Sequence, residues 1–191
     1  MSKLVRSFIA LYPDPAARTH ITDFLRELRT RDRSVRWEHP DKVHITLKFL
    51  GDVEAAVLDA ITADLKARIA DQSTFSARID RTGAFPNLRR ARIVWLGFAG
   101  EEQQILQLQR GTEEVCAAHG LEPEQKKFTP HFTIGRVRRN ADIGSLENDI
   151  AACSFQPVPV QFTAVRIMES TLTPQGAIHK ERARIEFTPG E

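Results

Sequence analysis

The sequence has little of what usually announces a chemistry. Its two cysteines, Cys116 and Cys153, match no metal-ligand spacing. A chain of 191 residues can build a core without a disulfide, so both are read as reduced, buried thiols. No run approaches the roughly 18 apolar residues of a membrane span. The opening stretch MSKLVRSFIALYPDP carries no small-residue cleavage site after its short apolar run. A cytoplasmic protein with no membrane partner is therefore expected. There is no Gly-x-x-x-x-Gly-Lys phosphate loop, which leaves nucleotide binding open. The net charge is only +2, with Lys and Arg spread along the chain, so charge alone does not mark a nucleic-acid binder.

What is present is an ordinary globular composition, 41% hydrophobic and 27% charged. Apolar spacing predicts helices over residues 16–31, 54–70, 101–119 and 143–152, with strands over 6–13, 43–50, 75–85, 92–98 and 131–137. Two last strands are expected over 158–170 and 179–187. The order of helix, strand, helix and hairpin thus occurs twice, as a structural repeat without a strong sequence repeat. The fold class expected is α+β: one bilobal domain over residues 1–191, with two pseudo-symmetric lobes of antiparallel sheet, outer helices and a central cleft.

The strands at 43–50 and 131–137 begin with the same phrase, His44-Ile45-Thr46-Leu47 and His131-Phe132-Thr133-Ile134. Residues i and i+2 of a strand share a face, so each His projects beside a Thr while the apolar residues turn to the core. One such pair is what any half-buried strand can carry. The repetition, on matching strands of a duplicated layout, is what points to catalysis. Two imidazoles across a cleft suit acid–base work, one accepting a proton while the other donates. The two hydroxyls could hold a tetrahedral anion such as phosphate, with Lys48 or Arg136 balancing its charge. Two His without a third ligand are too few for zinc, so no metal and no cofactor is expected. Strict alternation turns Arg136 away from His131 and Thr133 unless Gly135 breaks the strand with a bulge.

Other features have plainer readings. Arg89, Arg90 and Arg92, and likewise Lys126 and Lys127, fit either an RNA track or solvated loop tips. Trp37, Trp95 and Cys116 are read as core, and His20, His39 and His119 as structural or surface residues without partners.

At the His-x-Thr pairs the chain resembles the 2H phosphoesterase superfamily, and within it the RNA 2′,3′-cyclic phosphodiesterases historically called 2′-5′ RNA ligases. The likeness extends over VRWEHPDKVHITLKFLGDV, GAFPNLRRARIVWLGF, FTPHFTIGRV and ESTLTPQGAIHKERARIEF, in the family's order. It implies two α+β lobes about a pseudo-two-fold axis and metal-independent opening of a terminal 2′,3′-cyclic phosphate to a 2′-phosphate. His44 would be the proton donor and His131 the proton acceptor. Thr46 and Thr133 would bind phosphate oxygens, and Arg136 matches a basic residue common after the second motif. The implied partners are RNA ends or cyclic nucleotides, tRNA halves among them, acted on by a monomer; reversible 2′-5′ ligation is a further implied activity. His179 stands where the family often has Tyr and is read as an exposed strand residue. Two alternatives stay open: a non-catalytic RNA-binding module with a phosphate pocket, and a related enzyme acting on 2′-5′ oligoadenylate or a cyclic ADP-ribose phosphate.

Overall fold

The computed structural model describes residues 4–100, 102–174 and 176–190. Strand β1 (Leu4–Leu11) is buried on both faces from Ser7 onward and stops before Pro13. Asp14 then caps α1 (Pro15–Arg31), accepting hydrogen bonds from the Ala16 and Ala17 N–H groups, with Pro15 at the first helical position. Ala17, Ile21, Phe24, Leu25 and Leu28 form its buried stripe. Next come β2 (Val35–Trp37), a 3-10 turn (Pro40–Lys42), β3 (Ile45–Glu54) and α2 (Ala55–Arg68). The chain continues with β4 (Phe75–Phe85), a second 3-10 turn (Leu88–Arg90), β5 (Ile93–Phe98), α3 (Gln103–Ala118) and β6 (Phe132–Val137). It closes with α4 (Leu146–Cys153), β7 (Val158–Phe162), β8 (Ala164–Thr173) and β9 (Gly176–Glu186). Glu101, at the expected start of the third helix, and Gln175, in the final turn, lie outside the described residues.

The strands form two antiparallel sheets, ordered β3-β1-β8-β9 and β2-β6-β5-β4-β7. Helices α1 and α4 pack together, as do α2 and α3. One continuous apolar core joins the helices to both sheets. Phe8, Ala10 and Met168, with Tyr12 against them, make a separate small cluster. Cys116 and Cys153 are free and buried. Among the described residues no helix is long and apolar enough to cross a membrane.

The edge strand β2 has no counterpart in the sequence reading, and the connectivity differs from that reading in two ways. The run over 158–170 is not one strand. It breaks at Thr163, whose carbonyl accepts from the Phe187 N–H (2.8 Å), so that β7 edges the second sheet while β8 enters the first. The second difference follows from this switch. The hairpin after each His-Thr strand joins the other sheet: β4–β5 follows β3 yet pairs with β6, and β8–β9 follows β6 yet lies beside β1. Local periodicity specifies a strand and its faces but not its partner, so this exchange is invisible to pattern reading.

Candidate active site

The two motif strands bring their histidines to one cavity of about 310 Å³, which Thr46, Thr133 and Arg136 also line. Each His lies one residue before its strand and is held in the same way. The Nδ1 of His44 stands 2.7 Å from the carbonyl oxygen of Lys42, and that of His131 stands 2.7 Å from the carbonyl oxygen of Thr129. A carbonyl can only accept, so each Nδ1 carries the hydrogen, and the neutral ring keeps its lone pair on Nε2. Aromatic rings fix the imidazole planes. His44 stacks on Phe8 at 4.8 Å between centroids and meets His179 edge-on at 5.6 Å. His131 meets Phe85 edge-on at 4.9 Å, and Phe85 leans on Trp95. Neither Thr46 nor Thr133 spends its hydroxyl on a hydrogen bond to another described residue, so both are free to donate to a ligand.

Burial sets the protonation of the pair. It drives His44 from 6.5 down to about 4; the Lys42 carbonyl opposes the shift, while positive charge at His179, Arg136 and His131 adds to it. His131 is lowered as well, mainly by burial and further by Arg136, against its bond to Thr129. Both imidazoles are therefore neutral at neutral pH, with the Arg136 guanidinium beside them. That is a resting state suited to receiving an anion.

The fate of the two basic residues turns on bulges. Along β3, Ala10 of β1 faces Thr46 and Ile9 faces Lys48, which leaves Leu47 unopposed. Along β6, Trp95 of β5 faces Thr133 and Val94 faces Gly135, which leaves Ile134 unopposed. Both motifs therefore carry an extra residue directly after the Thr, and side-chain alternation flips at that point. Arg136 is returned to the cleft beside Thr133. The same flip turns Lys48 away from Thr46, correcting the expectation that it could serve the phosphate. Lys48 is buried (7% exposed) and donates to Glu113 Oε2 and the Glu122 carbonyl, both at 2.7 Å. The position matching Arg136 on the first strand is Phe49, exposed and covered by the Arg6 guanidinium 4.7 Å from its ring centroid. The cleft is thus symmetric in its His and Thr and unsymmetric in its charge.

Gly135 has a steric role at this bulge. A Cβ there would lie 2.5 Å from Val35 Cγ1 and 2.8 Å from the Trp37 ring, so its absence lets β2 close against β6. Arg136 Nε then rests 3.7 Å from Glu38 Oε1.

Several residues fall elsewhere than expected. His179 is half-buried in the cleft against Phe8 and His44, not an exposed strand residue, and burial lowers its pKa. The β8–β9 pairing carries it there, since that hairpin belongs to the His44 sheet. His119 has a partner, Asp64 on α2, at 2.7 Å. Trp37 packs on the core and also lines the cavity. Arg89, Arg90, Arg92, Lys126 and Lys127 do not line it. Lys42, Arg36 and Glu38 do, and sequence reasoning passed them over. Lys42 was findable, two positions before His44; its Nζ donates to the Ala177 carbonyl (2.8 Å), tying the first motif to the last hairpin. Among the described residues no group of three or more His, Cys, Asp or Glu is placed to hold a metal ion.

Comparison with known proteins gives the following. The family described as the 2′-5′ RNA ligase superfamily matches residues 12–173. The chain is similar to the RNA 2′,3′-cyclic phosphodiesterase of Methanothermobacter thermautotrophicus, 33% identical over 184 residues, covering 93% of this chain and 96% of that protein. It is similar to the protein of the same name from Thermotoga maritima, 30% identical over 186 residues and 97% of both chains. Its fold resembles that of Escherichia coli LigT crystallised with 3′-AMP, at a TM-score of 0.77 and 22% identity, covering 97% of this chain and 99% of that one.

Proposed function

The chain belongs to the 2′-5′ RNA ligase superfamily, and from that premise we propose that it is an RNA 2′,3′-cyclic phosphodiesterase that opens the terminal cyclic phosphate to a 2′-phosphomonoester. The observation that carries this reading is the paired cavity. Two imidazoles with identical Nδ1 anchors and two unpartnered threonine hydroxyls meet around one space of about 310 Å³.

In the proposed reaction His131 Nε2 takes a proton from water as the water oxygen bonds to phosphorus. The bond from phosphorus to O3′ breaks, and His44 Nε2–H delivers its proton to O3′. Thr46, Thr133 and Arg136 hold the non-bridging oxygens, whose charge grows as attack proceeds. His44 must be protonated for its part, although burial by itself keeps it neutral. The bound phosphodiester anion reverses that balance, because a charge in a water-poor cleft stabilises the imidazolium. Substrate thus creates the acid that attacks it.

With a 5′-hydroxyl in place of water, the same steps join two ends through a 2′-5′ bond, with tRNA halves as one fitting substrate. His131 takes the hydroxyl proton as the 5′ oxygen bonds to phosphorus, the bond to O3′ breaks, and His44 protonates O3′. Because one chain supplies both motifs, a monomer suffices. Deeper burial of His44 favours its neutral form, the property of a base, so exchanged roles are the second reading.

The test is hydrolysis of 2′,3′-cyclic nucleotides and cyclic-phosphate RNA ends in excess EDTA, with the product phosphate located by NMR. A 2′-phosphate formed without metal is expected. A 3′-phosphate would exchange the leaving oxygens, and activity abolished by EDTA would rule out the two-histidine mechanism.

A further inference from the structure

Two grooves share residues with the catalytic cavity, and their charge differs. One shares His39, Lys42 and His179 with the cavity and adds Tyr12, Arg18 and Arg166. Its arginines are already neutralised, Arg18 by Asp41 at 3.4 Å and Arg166 by Glu181 at 3.2 Å. The other groove, of about 400 Å³, crosses the edge strand β2 and shares Arg36 and Trp37 with the cavity. Arg29, Arg33 and Arg138 continue it. None of Arg33, Arg36 and Arg138 forms an ion pair among the described residues. Its single carboxylate, Asp32, is buried (4% exposed) and accepts from the Ser34 hydroxyl and the Val35 N–H.

The arrangement is ordered. Arg36 faces Arg136 across the β2–β6 ladder, and the Arg138 N–H donates to the Ser34 carbonyl one step outward. Arg138 Nε donates to the Arg33 carbonyl (3.1 Å), which holds that guanidinium over the end of the groove. A row of cations thus runs from the catalytic phosphate position across β2, with no surface carboxylate among the groove's residues to oppose it. Uncompensated arginines spaced along a groove fit the repeating phosphates of a single nucleic-acid strand.

We propose that this groove holds the backbone of the RNA strand on the 5′ side of the terminal nucleotide, with Arg33 and Arg138 contacting phosphates and Arg36 bridging to the site. The physiological substrate class is then an oligonucleotide end, not a free cyclic mononucleotide. This rests on the cyclic phosphodiesterase reading, and the experiment separates the two.

Initial rates are measured on cytidine 2′,3′-cyclic phosphate and on a tetraribonucleotide with the same cyclic end, across about 50–200 mM salt. With two added phosphates in contact, log(kcat/KM) for the tetranucleotide should fall more steeply with log[salt], by a slope of about 1.4. Arg33→Gln with Arg138→Gln should erase that difference and raise KM for the tetranucleotide at least about fivefold at low salt, while leaving the mononucleotide rate unchanged. Equal slopes for both substrates in the wild type overturn the track and leave the activity standing; this comparison needs no variant to fold. An equal loss on both substrates in the variant overturns it too, because the arginines would then act on the site as a whole. Hydrolysis of neither substrate overturns the phosphodiesterase reading and the track with it.

Discussion

The most exacting consequence of the site concerns the proton on His44. In the unliganded protein burial holds this imidazole at about 4 instead of 6.5. At about 1.4 kcal/mol per pH unit, that difference corresponds to about 3 kcal/mol against the charged form. A unit anion about 4 Å away, at an effective dielectric near 20, returns about 4 kcal/mol. The two magnitudes nearly cancel, so a bound tetrahedral anion should bring His44 back to its ordinary range. The assay is NMR of the imidazole Cε1–H, with the His44 signal identified by its loss in His44→Gln. Sulfate serves as the anion because it does not itself titrate in this window. A midpoint near 4 without sulfate, rising by at least about two units at saturation, is expected. A midpoint near 6.5 in the free protein, or one that sulfate does not move, refutes the reasoning. The same shift has a stability consequence. The unfolded chain protonates at about 6.5 while the folded chain resists to about 4. The unfolded state therefore binds more protons below 6.5, and stability falls as pH drops from about 6.5 to 4, by about 3 kcal/mol in total. His44→Gln should abolish that part of the acid sensitivity in denaturant titrations.

Further expectations are more direct. His44→Ala and His131→Ala should each lower kcat by at least about 10²-fold in single-turnover assays, and a near-normal rate in either removes that residue from the chemistry. Arg136→Ala should reduce kcat/KM about 10- to 100-fold, the loss of one charge-assisted hydrogen bond to phosphate, whereas Arg136→Lys should recover part of it. Lys48→Met leaves the Glu113 carboxylate without its cationic partner and should destabilise the fold by about 3 kcal/mol in urea titration while kcat stays unchanged. A kinetic loss without destabilisation would mean that Lys48 does reach the substrate. Gly135→Ala should raise KM and lower the melting temperature together, because the added carbon collides with Val35 and Trp37.

What the sequence disclosed and what it hid have distinct physical reasons. His44 with Thr46, and His131 with Thr133, were legible because a period of two is a property of the strand itself. The bulges at Leu47 and Ile134 were not, since an unopposed residue exists only relative to a neighbouring strand. Lys48 and Arg136 therefore exchanged their expected standing: one is buried on Glu113, the other lines the cleft. His179 and Lys42 reach the cavity through contacts between segments far apart in the chain, the β8–β9 pairing and the Lys42–Ala177 bond. A histidine on an alternating strand carries no signal of such a contact, and Lys42 offered only its place two positions before His44. The arginines around β2 were inconspicuous for a similar reason. Arg33, Arg36 and Arg138 look like scattered surface charge until Arg36 and Arg136 are paired across a ladder.

The exchange of hairpins bears on how the protein comes into being. In the first sheet β1 lies between β3 and β8, so the strand that begins the chain waits for one near its end. During synthesis, a nascent chain stopped before Ala164 has both motif histidines but lacks two of the four strands that support His44. His179, which packs on that ring, has not yet been made. Contacts of such sequence separation form late and slowly. The proposed acid–base pair should therefore reach its working geometry only after the β8–β9 hairpin docks, so an incomplete chain still held on the ribosome would be silent toward the RNA around it.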